Sequence, residues 1–595
     1  MVFELTSEFT AFFDDEGSHA VIFFYLCHIV LNKVRHIIER INAHYPVAVG
    51  WTIVLLTLWQ LVVALFGVDL CDTGYYLTFF DNVFSSPGAV EYNFMYYLSG
   101  MAGGALSAIL PEGGRWLALR LAGVLCNTAV MVMLAWALRR VLPATAVILG
   151  CLMVVASLVQ FPYTFNNDLM SVLLWVAALV CIYKGLTGRR TALLLLAGII
   201  VGGNTFTRIP NVLAAGLTVM PLIAHYYYYG SWRSCWRQAG MMLLGMAAGA
   251  LAVIGLMMAL GHWELFVQNM TDLLGVATGS SGEASHNAGG LVTAMLVFYR
   301  QCLLVGAKML VLAGLLWLVD RYLRHPLLRY GAWALVAVIT VWFMWHQSHI
   351  MHPLWVMCVA GLAWVICQKR SHALAAWLGL YLLLVFPLGS DGATNNGGII
   401  AWMAAPVAAL AWQRRRYVIL PLAFIAVGLV QTVTVGAYFD GGPLWLKTAT
   451  IDDGRAALVH TTPERARIIN ESLAGLEQHV KKGDTLLCYG SMPMMNHLTR
   501  TVPAIGCSWP ELLSAQALDA RLDAQGDSRP AILRQKFNDL GPYWSEATDD
   551  YLHAYPHVDG KFLDQDKMDA INRYINNHGY HIAWQNQWFV LYLAD

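Results

Sequence analysis

An all-α polytopic membrane bundle followed by a small α/β domain is the fold that the sequence predicts, and three observations predict it. Of 595 residues, 58% are hydrophobic and only 12% are charged, whereas a soluble domain carries about 25% charged residues. Apolar runs, each roughly 17 to 25 residues and long enough for ~30 Å of hydrocarbon, recur from residue 46 to about residue 438. They suggest about thirteen transmembrane helices. Beyond them the chain turns charged and mixed, with Gly441, Gly442 and Pro443 at the change. Three segments follow: an interfacial stretch at 1–45, a membrane-embedded domain at 46–438 and an α/β domain at 439–595. Formal net charge is zero, so overall charge points to neither a nucleic-acid partner nor an acidic substrate.

Basic residues fall in every second loop. The clusters are Lys33, Arg35 and Arg40; Arg139 and Arg140; Arg189 and Arg190; Arg233 and Arg237; Arg321, Arg324 and Arg329; Lys369 and Arg370; and Arg414 to Arg416. The positive-inside rule makes these loops cytoplasmic. The N-terminus is then predicted inside, and the intervening loops and the C-terminal domain outside. Residues 20–31 are too short to cross and precede a basic stretch, which predicts an interfacial helix. Residues 93–110 are long enough to cross, but a span there would invert every later arginine cluster, so this segment is predicted to lie along the outer surface.

In the tail, periodicity predicts helices at Pro463–Lys481, Trp509–Leu522 and Gln565–Asn577, and strands at Thr485–Tyr489, near Ala531, at Tyr580–Trp584 and at Trp588–Leu593. Cys488 and Cys507 both lie in this domain, where an oxidising compartment would permit a disulfide. Soluble-type metal, P-loop and dinucleotide motifs are absent. No internal repeat suggests a transporter.

The polar residues with chemical potential gather at the predicted outer ends of spans. Asp69 and Asp72, in VDLCDTGYYL, follow the first span directly. Carboxylates there are costly unless paired or used. Asp168, in FNND, either orients a substrate or caps a helix starting at Leu169. Arg208, in TRIPN, either forks onto a phosphate or snorkels to the interface. Arg120 has the same two kinds of reading, as a phosphate contact or as a structural partner of an acidic loop residue. His346, His349 and His352 could ligate a divalent ion, although their uniform spacing matches no standard zinc motif. One of them, His349 being the middle candidate, could instead touch a phosphate, or all three could be interfacial anchors. Asp391 lies in GSDGATNNGG, which reads as a flexible turn or a sugar contact. No cofactor is assigned, and a divalent metal stays open.

The landmarks have a distinctive order: one span, DLCDTGYY, EYNFMYYLSG, RWLALRLAGVL, RR, FNNDLMSVLLW and GGNTFTRIPNVLAAG. This order resembles the GT-C glycosyltransferases, in particular the protein O-mannosyltransferases and the lipid A aminoarabinose transferases. The resemblance implies an inverting membrane enzyme. It would move a sugar from a polyprenyl-phosphate donor to a glycan, lipid or protein acceptor on the outer face of a bacterial inner membrane. The essential carboxylate of such enzymes lies just after the first span, which implies Asp72 here, with Tyr75 beside it and Asp69 second in line. Many relatives carry another acidic residue directly after the catalytic one; Thr73 stands there in this chain, which puts metal use in this loop in doubt. A lipid-linked glycan flippase and a carbohydrate-binding membrane sensor are the non-enzymatic alternatives.

Overall fold

The computed structural model describes residues 36–228, 231–278, 288–347, 349–368, 370–389, 398–413, 416–526, 528–537, 544, 546–553 and 565–595. The expected interfacial helix at 20–31, Asp391, Arg414 and Arg415 lie outside these residues.

In chain order, α1 (Tyr45–Val63) leads to a first loop that carries α2 (Asp72–Asn82), a 3-10 stretch (Pro87–Tyr96) and α3 (Tyr97–Ile109). Next come α4 (Arg115–Leu138), α5 (Ala144–Ala156), α6 (Asn167–Thr187) and α7 (Thr191–Asn204). A second 3-10 stretch (Ile209–Val219) runs into α8 (Met220–Tyr228). The helical region continues with α9 (Trp232–Ala259), α10 (Trp263–Thr278), α11 (Ala288–Tyr322), α12 (Pro326–Trp345), α13 (Met351–Gln368), α14 (Ala373–Val385), α15 (Ala404–Trp412) and α16 (Ile419–Thr434). Among the described residues, eight helical segments are long and apolar enough to cross a membrane, and α5, α7, α14 and α16 are shorter apolar helices. The segment expected to lie along the surface is split between the first 3-10 stretch and α3, which at ~1.5 Å per residue reaches only about 20 Å. It is not among the eight.

Small residues let helices touch backbone to backbone, as in membrane bundles generally. A Cβ added at Gly198 would stand 2.2 Å from the Met242 carbonyl oxygen, and one added at Gly249 would stand 2.1 Å from that of Ile199. These contacts seat α7 against α9.

The basic loops meet at one end of the bundle. Asn42 Oδ1 accepts from the Thr145 amide at 3.1 Å, Lys184 Nζ donates to the Ala137 carbonyl at 2.7 Å, and His372 Nε2 donates to that of Val141 at 2.7 Å. Arg416 pairs with Asp320 at 2.5 Å. The acidic first loop and the C-terminal domain occupy the other end. Charge segregation along the chain has thus become segregation in space.

After α16 come two short hairpins, β1 (Gly436–Ala437) with β2 (Asp440–Gly441) and β3 (Ala449–Thr450) with β4 (His460–Thr461). The C-terminal domain then builds α17 (Pro463–Leu476), β5 (Thr485–Tyr489), α18 (Met494–Thr499), β6 (Val502–Pro503), α19 (Ala515–Asp523), β7 (Ala531–Gln535), α20 (Gln565–Asn577), β8 (Tyr580–Gln585) and β9 (Phe589–Ala594). One five-stranded sheet has the order β6-β5-β7-β9-β8. Its first three strands are parallel, and β9 is antiparallel to both neighbours. Successive strand residues face opposite ways. Leu486 and Cys488 therefore pack with α17 and the first loop, while Leu487 and Tyr489 pack with α19 and α20.

One expectation needs correction here, and one pairing left open is decided. The helix predicted at Trp509–Leu522 is a 3-10 turn at Pro510–Leu512 followed by α19; Leu513 is extended, and the Ser514 side chain accepts from the Ala517 amide, restarting the helix with a cap. Cys488 and Cys507 are free thiols. They sit in the cores on opposite faces of the sheet, so no disulfide joins them.

Candidate active site

The first turn of α2 organises the site. Asp69 is 2% exposed. Its Oδ1 accepts from the Cys71 amide at 2.8 Å and its Oδ2 from the Thr73 amide at 2.6 Å. Those amides are donors that a helix start leaves unsatisfied. Burial pushes the Asp69 carboxyl up to about 6, against the opposing pull of these donors and of Arg120. Asp69 thus caps the helix, and Asp72 becomes its first residue.

The helix is also fastened to the C-terminal domain. Leu70 O accepts from the Met494 amide at 3.0 Å, and the Thr78 hydroxyl donates to Pro493 O at 2.9 Å. Gly74 permits this approach: a Cβ there would stand 2.1 Å from the Met494 backbone nitrogen. Deeper along the interface, Asp440 is fully buried. It pairs with Lys447 at 2.7 Å and with Arg465, and it accepts from the Val68 amide at 2.8 Å and the Thr461 hydroxyl at 2.7 Å. These bonds hold the start of the loop beside the β1–β2 hairpin.

Asp72 faces a cavity of about 110 Å³ whose lining includes Tyr76, Gln160, Asn166, Asp168 and Tyr438. The Tyr438 hydroxyl donates to Asp72 Oδ2. A smaller cavity of about 20 Å³, lined by Asp69, Arg120 and Thr73, shares Gln160 and Tyr438 with it. Gln160 has φ of +55°, a left-handed conformation uncommon outside glycine. Two carboxylates, Asp72 and Asp168, therefore line one half-open space.

Other expected residues fall elsewhere. Asn166, not Asp168, caps α6: its side chain accepts from the Leu169 amide at 2.9 Å. The α6 helix begins at Asn167, two residues before the start that a cap by Asp168 would need, and Asp168 instead lines the cavity. Tyr75 is 4% exposed and packs at 6.2 Å edge-on to Trp509 in the C-terminal core. It is Tyr76, one residue on, that reaches the cavity, because consecutive helical positions diverge by about 100°. Burial first, then Tyr96, Asp168 and Asp72, push the Tyr76 hydroxyl well above its ordinary range, and it stays protonated.

Arg120 donates to the carbonyls of Ala64 (3.0 Å), Phe66 (3.1 Å) and Gly67 (2.5 Å). It hydrogen-bonds the carbonyls after α1, tying the loop to α4, while Asp69 and Asp440 act on it electrostatically. Arg208 is 4% exposed, not snorkelling. Its Nη1 donates to Phe386 O at 2.7 Å, and its Nη2 has no hydrogen-bond partner among the described residues. Arg208 acts electrostatically on both Tyr76 and Asp168. His349 is exposed, while His352 is buried edge-on to it and 5.2 Å from the Phe298 ring. His346 Nδ1 donates to its own helix at Trp342 O. Among the described residues no group of three His, Cys, Asp or Glu side chains is placed to hold a metal.

Tyr76, Gln160 and Tyr438 went unnoticed in the sequence. Tyr76 had a signal in the helical phase of DTGYY. Tyr438 had none, since it lies 366 residues from its partner.

Residues 105–258 match the model of the dolichyl-phosphate-mannose-protein mannosyltransferase family. No curated protein matches the chain. Among solved structures, the apo oligosaccharyltransferase of Archaeoglobus fulgidus is 13% identical, with 82% of this chain and 69% of that one covered and a TM-score of 0.42. ArnT from Cupriavidus metallidurans bound to undecaprenyl phosphate is also 13% identical, with 92% and 98% covered and a TM-score of 0.39. Scores of this size leave the residue assignments to the geometry above. The family match falls on residues 105–258, from α4 into α9, and over that part the chain is similar to this membrane glycosyltransferase family, in line with the resemblance carried by the ordered landmarks.

Proposed function

We propose that the protein transfers a sugar from a polyprenyl-phosphate donor to a hydroxyl-bearing glycan, lipid or protein acceptor, with inversion, at the outer face of a bacterial inner membrane. The observation that carries this reading is the pair of carboxylates, Asp72 and Asp168, on one cavity at the end of the bundle opposite the basic loops. Positive-inside charge bias supports placing that end outside. Residues 46–438 form the catalytic part in this reading, and residues 439–595 brace it.

An acceptor hydroxyl is a weak nucleophile at neutral pH. Asp72 takes its proton as the oxygen attacks the anomeric carbon, a role worth about 10²- to 10⁴-fold in rate. Attack from the face opposite the phosphate breaks the bond between the anomeric carbon and the phosphate oxygen, and the lipid phosphate departs as an anion. Asp168 orients the acceptor from across the cavity. Arg208 offers the departing phosphate its unpartnered Nη2, the kind of preorganised donor that stabilises charge developing in a transition state. Asp69 caps α2 and Arg120 braces it, so both act on structure rather than on substrate.

The test is transfer by purified Asp72→Asn and Asp69→Asn, with radiolabelled undecaprenyl-phosphate monosaccharides, mannose included, and membrane extract as acceptor. Asp72→Asn should lose about 10²- to 10⁴-fold, and Asp69→Asn far less. Near-normal transfer by Asp72→Asn would overturn the mechanism; no transfer by the wild type from any such donor would overturn the substrate class.

A further inference from the structure

Tyr438 sits on the segment that leads from the last apolar helix into the C-terminal domain, yet its hydroxyl reaches back to Asp72 Oδ2. Three features hold it there. It occupies the two-residue turn of the β1–β2 hairpin, where Ala437 pairs with Asp440. The turn's second residue, Phe439, has φ of +50°, a left-handed conformation costly for a bulky side chain and kept only where the surroundings impose it. The surroundings do so from both sides. Asp440 is pinned by Lys447, Arg465, Thr461 and the Val68 amide, and a Cβ on Gly67 would stand 2.1 Å from that of Ala437. The hairpin and the Asp-bearing loop are interlocked, with the phenol between them.

We propose, resting on the reading of Asp72 as general base, that Tyr438 is a positioning residue. It fixes the rotamer of the Asp72 carboxylate and favours its ionised form, so the hairpin at the junction with the C-terminal domain contributes directly to the reaction centre. A hydrogen bond donated to a carboxylate stabilises the charged state. Burial first, and then the charges of Asp72 and Asp69, push the phenol far above its ordinary value, so it remains a donor throughout the working pH range. The other titratable or charged groups facing this pair are Asp69 and Cys71 from the loop, Tyr76 from α2, Asp168 from α6, Arg120 from α4 and Arg208. None of them changes when Tyr438 does.

Tyr438→Phe deletes one oxygen and keeps the ring. In the transfer assay with undecaprenyl-phosphate monosaccharides it should lower kcat roughly 10- to 100-fold, the range for a hydrogen bond to a charged group, with KM for the donor little changed. The acid limb of the rate profile should move up by roughly one pH unit, because Asp72 then ionises less readily. Placed on Asp72→Asn, the same change should cost nothing further. A rate loss with an unmoved acid limb, or an equal loss on the Asp72→Asn background, would reduce Tyr438 to a packing role and overturn the proposal. Near-normal transfer by Asp72→Asn alone would instead overturn the general-base reading on which it rests. Thermal melting of each variant separates these outcomes from misfolding.

Discussion

The two ends of α2 carry carboxylates in opposite circumstances. At its start, Asp72 borders a cavity and is held by a neutral phenol. At its end, Asp81 is ringed by two arginines and a histidine. Arg455 Nη1 and His497 Nδ1 each donate to Oδ2 at 2.7 Å, and Arg115 lies 3.3 Å from Oδ1. Burial alone would raise the Asp81 carboxyl, but His497, Arg455 and Arg115 outweigh it and hold it below its ordinary value. A carboxylate so fully paired cannot take up a proton near neutrality; its work is to clamp the first loop onto the C-terminal domain. Asp72 borders a cavity and accepts from the Tyr438 hydroxyl, where Asp81 is locked between arginines and a histidine.

That contrast can be broken by experiment. The largest effect should be on transfer: Asp72→Asn should cut the rate by about 10²- to 10⁴-fold while leaving the melting temperature in detergent near that of the parent. Asp81→Asn should do the reverse. Removing one member of a buried ion cluster costs about 3 to 5 kcal/mol, read as a lowered melting temperature, with turnover per folded molecule retained. If Asp81→Asn abolished turnover in a well-folded protein, the division of labour along α2 would be wrong.

Arg208→Ala should cost roughly 2 to 4 kcal/mol of transition-state stabilisation, measured as kcat, and Lys should restore only part because it lacks the fork. Unchanged turnover would remove Arg208 from the site. Gly74→Ala should destabilise by about 1 to 3 kcal/mol, the ordinary range for overpacking, because the Met494 backbone stands in the way of its methyl.

The smallest effect is in the pH dependence of stability, where the carboxyls give opposite signs. Asp69 is raised from 3.8 to about 6. It binds its proton more tightly folded than unfolded, so its favourable contribution is complete below 3.8 and is lost as pH rises through about 6. Asp81 is lowered, so its contribution is present above 3.8 and is lost as pH falls through its folded value. Melting curves across this range should show Asp69→Asn removing the decline between 3.8 and about 6, and Asp81→Asn weakening the loss at acid pH.

Much of the fold was legible because it rests on local pattern. The helices α17 and α20 start where Pro463 and Gln565 were expected, and strand β5 spans the expected Thr485–Tyr489. The loop carrying Asp69 and Asp72 was found from its place after the first span. Orientation was not legible. Tyr75 and Tyr76 differ by one residue, yet one enters a core and the other a cavity. Neither composition nor spacing could tell which face of α2 would meet Met494.

By itself the sequence determined the helical membrane-type bundle, the segregation of basic from acidic loops, the appended α/β domain and the loop whose Asp72 lines the cavity. Hydrophobic length, charge and periodicity are properties of contiguous residues and survive in the linear chain. Only the tertiary structure decided that Asn166 rather than Asp168 caps α6, that Cys488 and Cys507 stay apart, that Arg120 serves backbone carbonyls, and that Tyr438 meets Asp72. Each of these depends on which groups satisfy one another's hydrogen bonds and charges after burial. That choice is made by burial and geometry over separations from three residues, for Asn166 and Leu169, to 366, for Asp72 and Tyr438, and local sequence does not record which group wins.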